Sequence, residues 1–262
     1  MEKNEATSSG RPPVLLVPGG VNPAAISYGP LLEVLKDEAY VVVKDLEVYA
    51  TDTPPPGYGL ELEVEGIKRT AEAAGLKSFH LVGYSGGGAA SLAFIVKYPE
   101  LVRSLALIEP AWIGNDPGDA ADWSEMERIM ALPPNERMQA FIRAGLRPGV
   151  EPPPPPSGPP PPWMAKRPAG LEAMTRAFKA YHLDREDFRH LQQPVYLALG
   201  SLSHLIEEHK ANVLSNLFPD IRVEVYEGLH HFNPPQRAEP ERFAHALREL
   251  WARSEVAASV NG

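Results

Sequence analysis

The stretch of sequence that decides the fold is Phe79-His80-Leu81-Val82-Gly83-Tyr84-Ser85-Gly86-Gly87. It begins with a short apolar run and continues into Ser85, with Gly83 two positions before it and Gly86 directly after it. Short apolar runs that end at turn residues are typical of strands buried on both faces of a parallel sheet. The residues that follow have helical spacing up to Tyr98, and Pro99 marks the end of that helix. The stretch therefore predicts a strand, a tight turn and a helix.

The same alternation of apolar runs and helical segments recurs along most of the chain. Five further runs predict strands: Val14–Val17, Tyr40–Val43, Leu105–Ile108, Val195–Leu199 and Arg222–Tyr226. Four further segments predict helices: Pro30–Glu38, Leu60–Ala74, Leu205–Leu217 and Pro240–Arg253. Strands that alternate with helices form βαβ units. The fold class predicted is therefore α/β, with a mostly parallel, doubly wound sheet of about six strands.

Residues 112–193 interrupt this alternation. Three amphipathic segments within them predict helices: Trp123–Ala131, Arg137–Leu146 and Leu171–Tyr181. We interpret residues 112–193 as a helical cap inserted into a core formed by residues 1–111 and 194–262. Several aromatic residues of the cap are candidate pocket walls, although aromatic residues at helical spacing are more often core; they are Trp112, Trp123, Trp163, Phe141 and Phe178.

The cap contains a proline-rich segment with two runs, Pro152–Pro156 and Pro159–Pro162. Proline favours polyproline II and is excluded from central strands. A stiff surface loop is the plainest interpretation. A lid rim over the site and a ligand for a proline-binding domain are the alternatives.

The composition narrows the class of partner. The 262 residues carry a formal net charge of −9, which disfavours nucleic acid and anionic membranes as partners. The small-molecule substrate that is expected as the partner follows from the candidate site residues, not from the charge. There are no cysteines, so disulfides and thiolate chemistry are excluded. The polar N-terminal residues lack the apolar region of a signal peptide, and no apolar run approaches the ~20 residues that span a bilayer. A cytoplasmic protein is expected.

Ser85 is the candidate nucleophile. The motif Gly-x-Ser-x-Gly between a strand and a helix places a serine hydroxyl in a strained turn above the sheet. The positive end of the following helix stabilises negative charge there. An ordinary glycine-rich turn and a phosphate-binding turn are the alternatives, but Gly83–Gly87 lacks the spacing of phosphate-binding motifs.

Two further loops supply candidate partners. Acyl transfer needs backbone N–H donors for the developing oxyanion, and the amides of Gly20 and Gly86 are the candidates. A plain turn is the alternative for Gly20. After the last strand, His231 is the candidate general base, and His230 is interpreted as a loop or packing residue. The other histidines are scattered, and no metal or cofactor site is predicted. His204 is expected at the surface, with a position facing the pocket as the alternative.

The chain resembles the α/β-hydrolase superfamily over nearly its whole length. The matching segments are Val17–Gly20, Gly83–Gly87, Tyr98–Leu105 and His231-Phe232. The resemblance implies the chain order nucleophile, acid, histidine. The chain departs from it at Pro18, where the usual oxyanion motif has histidine.

The resemblance also implies a triad acid, and here the chain departs most from the common pattern. Most relatives have a carboxylate after the strand Val195–Leu199, but Gly200–Ile206 contains none. Some members place the acid at the end of the preceding strand, where this chain has Glu109. Its role would be to orient His231. Capping a helix or anchoring the cap is the alternative for this residue.

These residues predict a serine hydrolase that cleaves a carboxylic ester, thioester or lactone through an acyl-enzyme. Two alternatives use the same scaffold: carbon–carbon bond hydrolysis or a lyase reaction, and ligand binding without turnover.

Overall fold

The computed structural model describes residues 10–115, 120–154 and 158–260. Within them six strands form a single sheet. They are β1 (Pro13–Val17), β2 (Tyr40–Val43), β3 (Phe79–Tyr84), β4 (Val102–Ile108), β5 (Val195–Gly200) and β6 (Ile221–Tyr226).

The sheet is entirely parallel, in the order β2-β1-β3-β4-β5-β6. The predicted fold class is therefore confirmed. Because all strands run the same way, the loops after β1, β3, β4, β5 and β6 leave from one edge of the sheet. This edge is where ligand sites of open α/β sheets lie.

Helices connect the strands or lie between β4 and β5. They are α1 (Ala24–Leu35), α2 (Leu60–Ala73), α3 (Gly86–Lys97), α4 (Ala120–Met130), α5 (Pro134–Ala144), α6 (Arg167–Ala180), α7 (Ile206–Leu217), α8 (Pro235–Ala238) and α9 (Pro240–Val260). Short 3₁₀ helices add Glu47–Tyr49, Pro99–Leu101, Pro162–Lys166 and Arg185–His190.

The core is divided by the sheet into two layers. Alternate residues of β1 show the division, since Val14 and Leu16 pack on one face while Leu15 and Val17 pack on the other. Helices α1 and α9 cover the first face, and α2, α3 and α7 cover the second. All four of these β1 side chains are fully buried, which is why the run in the sequence is continuously apolar.

Helix α1 begins six residues before its predicted start at Pro30. Its first amide, that of Ala24, donates a 2.7 Å hydrogen bond to Asp45 Oδ1 after β2. This distant carboxylate caps the helix, so no local capping residue marks its start. Pro30 lies inside the helix on the solvent side, where water can satisfy the backbone group that the ring leaves without a partner.

The three helices predicted between β4 and β5 are present as α4, α5 and α6, with ends shifted by a few residues. The proline-rich segment has no helix or strand at residues 152–154 and 158–161. The rest of its first run, residues 155–156, lies outside the described residues. Its last proline, Pro162, starts a 3₁₀ helix.

Candidate active site

Ser85 occupies the turn between β3 and α3. Its backbone has φ 51° and ψ −116°, and residues other than glycine rarely adopt a positive φ. The Ser85 amide donates to Ile108 O at 3.0 Å, and the Gly87 amide donates to Pro18 O at 3.0 Å. These bonds tie the turn to β4 and to the loop after β1, so the strain is held by the surrounding structure.

The glycines on either side of Ser85 are required by close approach. A Cβ at Gly83 would lie 2.4 Å from Ser91 Oγ, and a Cβ at Gly87 would lie 2.4 Å from Pro18 O. Larger residues would therefore force the strand and the helix apart. This contact explains why the motif has small residues at both positions.

His231 lies against Ser85 on the loop after β6. Its Nε2 atom is 3.0 Å from Ser85 Oγ, and its Nδ1 atom is 2.8 Å from Glu109 Oε2. Both side chains are almost fully buried, and the hydroxyl of Tyr84 donates to the backbone carbonyl of His231. The structure thus brings Ser85, His231 and Glu109 into one hydrogen-bonded chain.

The His230 side chain bonds a backbone group and not Ser85. Its Nδ1 atom accepts a hydrogen bond from the Phe232 amide at 3.2 Å. Burial lowers the pKa of His230 below its ordinary value. Of the two neighbouring histidines, the structure therefore places only His231 against Ser85.

Glu109 is 2% exposed and has a second strained backbone, with φ 41°. Among the described residues other than glycine, only Ser85 and Glu109 have positive φ. Glu109 Oε1 accepts from the Gly200 amide at 2.7 Å and from Ser203 Oγ at 2.5 Å, while Oε2 faces His231. Both carboxylate oxygens are thus satisfied by groups of the protein.

The surroundings of Glu109 favour its charged form. Burial alone would raise the pKa of the carboxyl, but the hydrogen bond and charge of His231, with the bonds from Gly200 and Ser203, hold it below its ordinary value. Sequence reasoning did not identify Gly200 and Ser203 as hydrogen-bond partners of Glu109. The loop after β5 has no carboxylate of its own, but it supplies hydrogen-bond donors to the Glu109 carboxylate at the end of β4.

The candidate oxyanion donors are adjacent. A Cβ at Gly86 would lie 3.6 Å from the amide nitrogen of Gly20. Among the described residues, neither amide has a hydrogen-bond acceptor, and Gly86 is the first residue of α3, where helix amides lack partners within the helix. Tyr49 Oη donates to Gly20 O at 2.7 Å and holds this loop in place.

Helix α6 packs on the same glycines. Met174 is the residue responsible, because a Cβ at Gly20 would lie 2.5 Å from Met174 Cε and a Cβ at Gly86 would lie 3.2 Å from Met174 Sδ. The guanidinium of Arg167, at the start of α6, lies 3.8 Å from the centre of the Tyr49 ring. The segment between β4 and β5 therefore contacts the loop after β1, which carries Gly20, directly.

A cavity of about 530 Å³ opens at Ser85 and His231. Trp112, Trp123 and Phe141 line it, as expected from the sequence. Trp163 and Phe178 are not among its described lining residues, and the expectation for these two is wrong. Phe178 is buried and stacks on the ring of Trp112, with ring centres 6.1 Å apart. It therefore supports a lining residue and does not line the cavity itself.

Polar residues from the loop after β5 and from the start of α7 also line the cavity, and sequence reasoning considered only His204 among them. His204, for which a surface position was favoured over one facing the pocket, lines the cavity with Glu207, His209 and Lys210. The Lys210 ammonium lies 2.7 Å from Glu207 Oε1, and each side chain is about nine-tenths buried. A run of charged residues at the start of a helix is usually a solvated face, so the sequence carried no signal of this burial.

The fold and the site together define a hydrolase scaffold, and a comparison with known families agrees. Residues 12–152, more than half of the chain, match the family described as alpha/beta hydrolase fold. The protein belongs to this family.

Comparison with known proteins extends the likeness. The chain is 27% identical to the serine hydrolase BPHL of Homo sapiens over 137 residues, which are 47% of each chain. It thus spans less than half the length of the curated relatives it matches.

Two solved structures show the fold over nearly the whole chain. A thermophilic esterase from Thermogutta terrifontis has a TM-score of 0.69 and 20% identity, covering 93% of this chain and 90% of that one. The 2-hydroxy-6-oxo-6-phenylhexa-2,4-dienoate hydrolase of Rhodococcus sp. strain RHA1 has a TM-score of 0.66 and 19% identity, covering 92% and 91%.

Among the described residues, no helix is both long and apolar enough to cross a bilayer. No group of three or more histidine, cysteine, aspartate or glutamate side chains within the same residues could hold a metal ion.

Proposed function

We propose that the protein is a serine hydrolase that cleaves a carboxylic ester, thioester or lactone through an acyl-enzyme on Ser85. The observation that carries the proposal is the hydrogen-bonded chain from Ser85 Oγ through His231 to Glu109, with links of 3.0 and 2.8 Å. Such a chain lets a weakly acidic hydroxyl lose its proton as it attacks a carbonyl carbon.

In the first half of the reaction, Ser85 Oγ attacks the carbonyl carbon and His231 Nε2 takes the hydroxyl proton. The carbonyl oxygen becomes an oxyanion, which the amides of Gly20 and Gly86 stabilise together with the positive end of α3. The tetrahedral intermediate then breaks the bond to the leaving group, and His231 returns the proton to that group.

In the second half, water attacks the acyl-enzyme. His231 takes a proton from the water, the ester bond to Ser85 breaks, and the serine regains a proton. Glu109 accepts from His231 Nδ1–H throughout, which fixes the ring orientation and stabilises the imidazolium. Its strained backbone is consistent with a position selected for function rather than for stability.

Residues 112–193 act in this proposal as a cap that shapes the acyl and alcohol pockets, over a core of residues 1–111 and 194–262. Cap residues Trp112, Trp123 and Phe141 line the cavity at Ser85, which supports this division. The cytoplasmic location and the absence of a nucleic-acid partner stay predictions.

The proposal is tested with p-nitrophenyl esters, a thioester and a lactone, together with a fluorophosphonate probe that labels activated serines. Wild-type protein is expected to hydrolyse at least one ester and to be labelled, whereas Ser85→Ala should lose both. Ser104→Ala is the matched control, because Ser104 is also buried but bonds His80 at 2.8 Å, away from the site. Unchanged ester turnover in Ser85→Ala would contradict the proposal.

The same panel separates the other chemistries of the scaffold. A carbon–carbon hydrolase or lyase should leave simple esters nearly untouched, and a binding protein without turnover should not react with the fluorophosphonate.

A further inference from the structure

Strand β6 forms one edge of the sheet. Its inner side pairs with β5 from Ile221 to Tyr226, and no other described strand pairs with its outer side. Two of its apolar side chains, Val223 and Val225, are 41% and 50% exposed. An open edge strand with exposed apolar side chains is a template on which another strand can pair.

The outward-facing backbone groups of β6 belong to its odd-numbered residues. The Asp220 carbonyl accepts from the Val195 amide at 2.8 Å and therefore faces β5. The N–H and C=O groups of one residue in a strand point the same way, and successive residues alternate. The groups of Ile221, Val223 and Val225 thus face away from β5 and are placed to pair with a further strand.

The side chains of β6 are arranged symmetrically about Val223. Ile221 and Val225 lie two positions away on the same face of the sheet, and both are apolar. Arg222 and Glu224 flank Val223 on the other face and carry opposite charges. A second copy that pairs antiparallel, with Val223 opposite Val223, places each Arg222 opposite a Glu224 and each Ile221 opposite a Val225.

Charge selects this register over its neighbours. Pairing through the outward-facing groups requires odd residues opposite odd residues, so the register can shift only in steps that keep this match. Of the two nearest registers that do so, one places Arg222 opposite Arg222 and the other places Glu224 opposite Glu224. Like charges directly opposite each other destabilise a strand pair. The register centred on Val223 pairs unlike charges instead.

Both charged side chains are accessible for this contact. The Arg222 side chain is 60% exposed and lies 3.9 Å from Glu249, a surface pair that contributes little. Glu224 accepts from Arg242 at 2.8 Å and from Tyr196 at 2.6 Å, and its side chain is 32% exposed. A carboxylate has about four acceptor sites, so Glu224 can accept from a further guanidinium.

Protection of the edge is the alternative role for these charges, because charged side chains on an edge strand commonly prevent pairing. Charges of one sign serve that role best, since two copies then repel each other in every register. Arg222 and Glu224 differ in sign and attract in one register. The Arg242 guanidinium donates to Val225 O at 3.4 Å, but a carbonyl has a second lone pair for a strand amide.

We propose that the outer side of β6 is a homodimer interface, at which two copies of this chain pair antiparallel about Val223 and join their sheets into one. The two-fold axis that passes between the two Val223 residues closes the assembly at two copies. None of the described lining residues of the cavity at Ser85 belongs to β6. The inference is therefore independent of the proposed function.

The first test is the mass in solution, measured by analytical ultracentrifugation. An interface built around one strand from each copy is small, so we expect a weak dimer and a measurement from about 5 to about 500 μM. Across this range the mass should rise from 28.6 kDa towards twice that value. A wild-type protein that keeps the monomer mass at every concentration overturns the proposal.

The second test exchanges the charges. Arg222→Glu and Glu224→Lys each place like charges opposite each other at both ends of the pairing, so each variant alone should dimerise about tenfold or more weakly than wild type. An equimolar mixture of the two variants again places unlike charges opposite each other and should recover most of the loss. A mixture that dimerises no better than the separate variants overturns the register, as does wild-type affinity in either variant alone.

Two further variants locate the interface. Val223→Asp places two carboxylates at the two-fold axis and should abolish the dimer; it decides the matter if Glu224→Lys, which loses its bonds to Arg242 and Tyr196, fails to fold. Val43→Asp is the matched control, because Val43 is also 41% exposed but lies on β2, at the opposite edge of the sheet. Thermal unfolding checks that each variant is folded. A dimer that survives Val223→Asp and is lost in Val43→Asp overturns the proposal.

Discussion

The carboxylate of Glu109 lies 2.8 Å from Nδ1 of His231, although 122 positions separate the two residues in the chain. The parallel sheet makes this contact possible, because Glu109 ends β4 and the loop after β6 leaves from the same edge. The Gly200 amide and the Ser203 hydroxyl hold the other carboxylate oxygen. The carboxylate is therefore fixed from both sides, as an orienting acid requires.

Replacement of Glu109 by glutamine should lower kcat on the best ester by about 10²-fold or more. Glutamine keeps the size of the side chain but removes the charge that stabilises the imidazolium. KM should change little, because Glu109 is 2% exposed and is not among the described lining residues of the cavity. Steady-state kinetics of Glu109→Gln and wild type, with Ser203→Ala as a milder companion, check this expectation. Near-normal kcat in Glu109→Gln would show that another group orients His231.

Stability should depend on pH through the same carboxyl. The pKa of Glu109 is lowered in the folded protein, because the bonds from His231, Gly200 and Ser203 outweigh burial. Its contribution is therefore complete above the ordinary value of 4.5 and is lost as the pH falls through the lowered pKa.

The corresponding measurement is the free energy of unfolding in urea between pH 7 and pH 3. Wild type should lose stability more steeply below about pH 4.5 than Glu109→Gln, by at most ~1.4 kcal/mol per pH unit for one group. Glu208→Gln should follow wild type. Parallel curves for wild type and Glu109→Gln would count against the lowered pKa.

The two neighbouring histidines should differ sharply. His231→Ala removes the base and should cost about as much in kcat as Ser85→Ala, since the two residues act as one unit. His230→Ala should cost far less, because the His230 ring bonds the Phe232 amide and not Ser85. Kinetics of both variants on one ester provide the comparison, and the reverse order of severity would assign the base to His230.

Most of the fold could be predicted from the sequence because most of its strands contain a continuous apolar run. β1 and β3 are buried on both faces, and each ends at a glycine or proline turn. The start of α1 could not be predicted, because its cap is the carboxylate of Asp45, 21 positions away. A cap supplied through tertiary contact has no local pattern.

Site residues that are marked by their neighbours in sequence could be predicted, whereas those positioned by distant parts of the chain could not. Ser85 is marked by a turn whose glycines are required within a few residues. Glu109 depended on a family resemblance, since nothing near it in sequence indicates that His231 is its partner. The pair Glu207 and Lys210 could not be recognised in the sequence, because charges three residues apart on a helix are also common on exposed surfaces.

The proline-rich segment should govern substrate preference more than stability. Its described residues, 152–154 and 158–161, are mostly exposed and bury little apolar surface. Deletion of residues 153–160 should therefore change KM or the order of preferred esters while the melting temperature shifts only slightly. Thermal unfolding and kinetics on the ester panel test both parts. A large fall in melting temperature with unchanged kinetics would show that the segment is structural.

Tyr49 holds the loop after β1, which carries the candidate oxyanion donor Gly20. Tyr49 Oη donates to Gly20 O at 2.7 Å, and burial raises the pKa of this hydroxyl to about 12 although the Arg167 guanidinium opposes the shift. The tyrosine therefore stays protonated and able to donate at neutral pH. Tyr49→Phe removes this hydrogen bond and keeps the ring, so the Gly20 amide should be less well placed for the oxyanion.

Because the oxyanion forms only after attack, Tyr49→Phe should lower kcat by about tenfold and leave KM nearly unchanged. Tyr58→Phe is the matched control, since Tyr58 Oη also bonds a buried group, Glu63 Oε1 at 3.0 Å, but does not touch Gly20. Arg167→Met should shift kcat in the same direction as Tyr49→Phe, because the guanidinium packs on the Tyr49 ring. If Tyr49→Phe and Tyr58→Phe lose stability equally and both retain wild-type kcat, the Tyr49 hydroxyl has only a structural role.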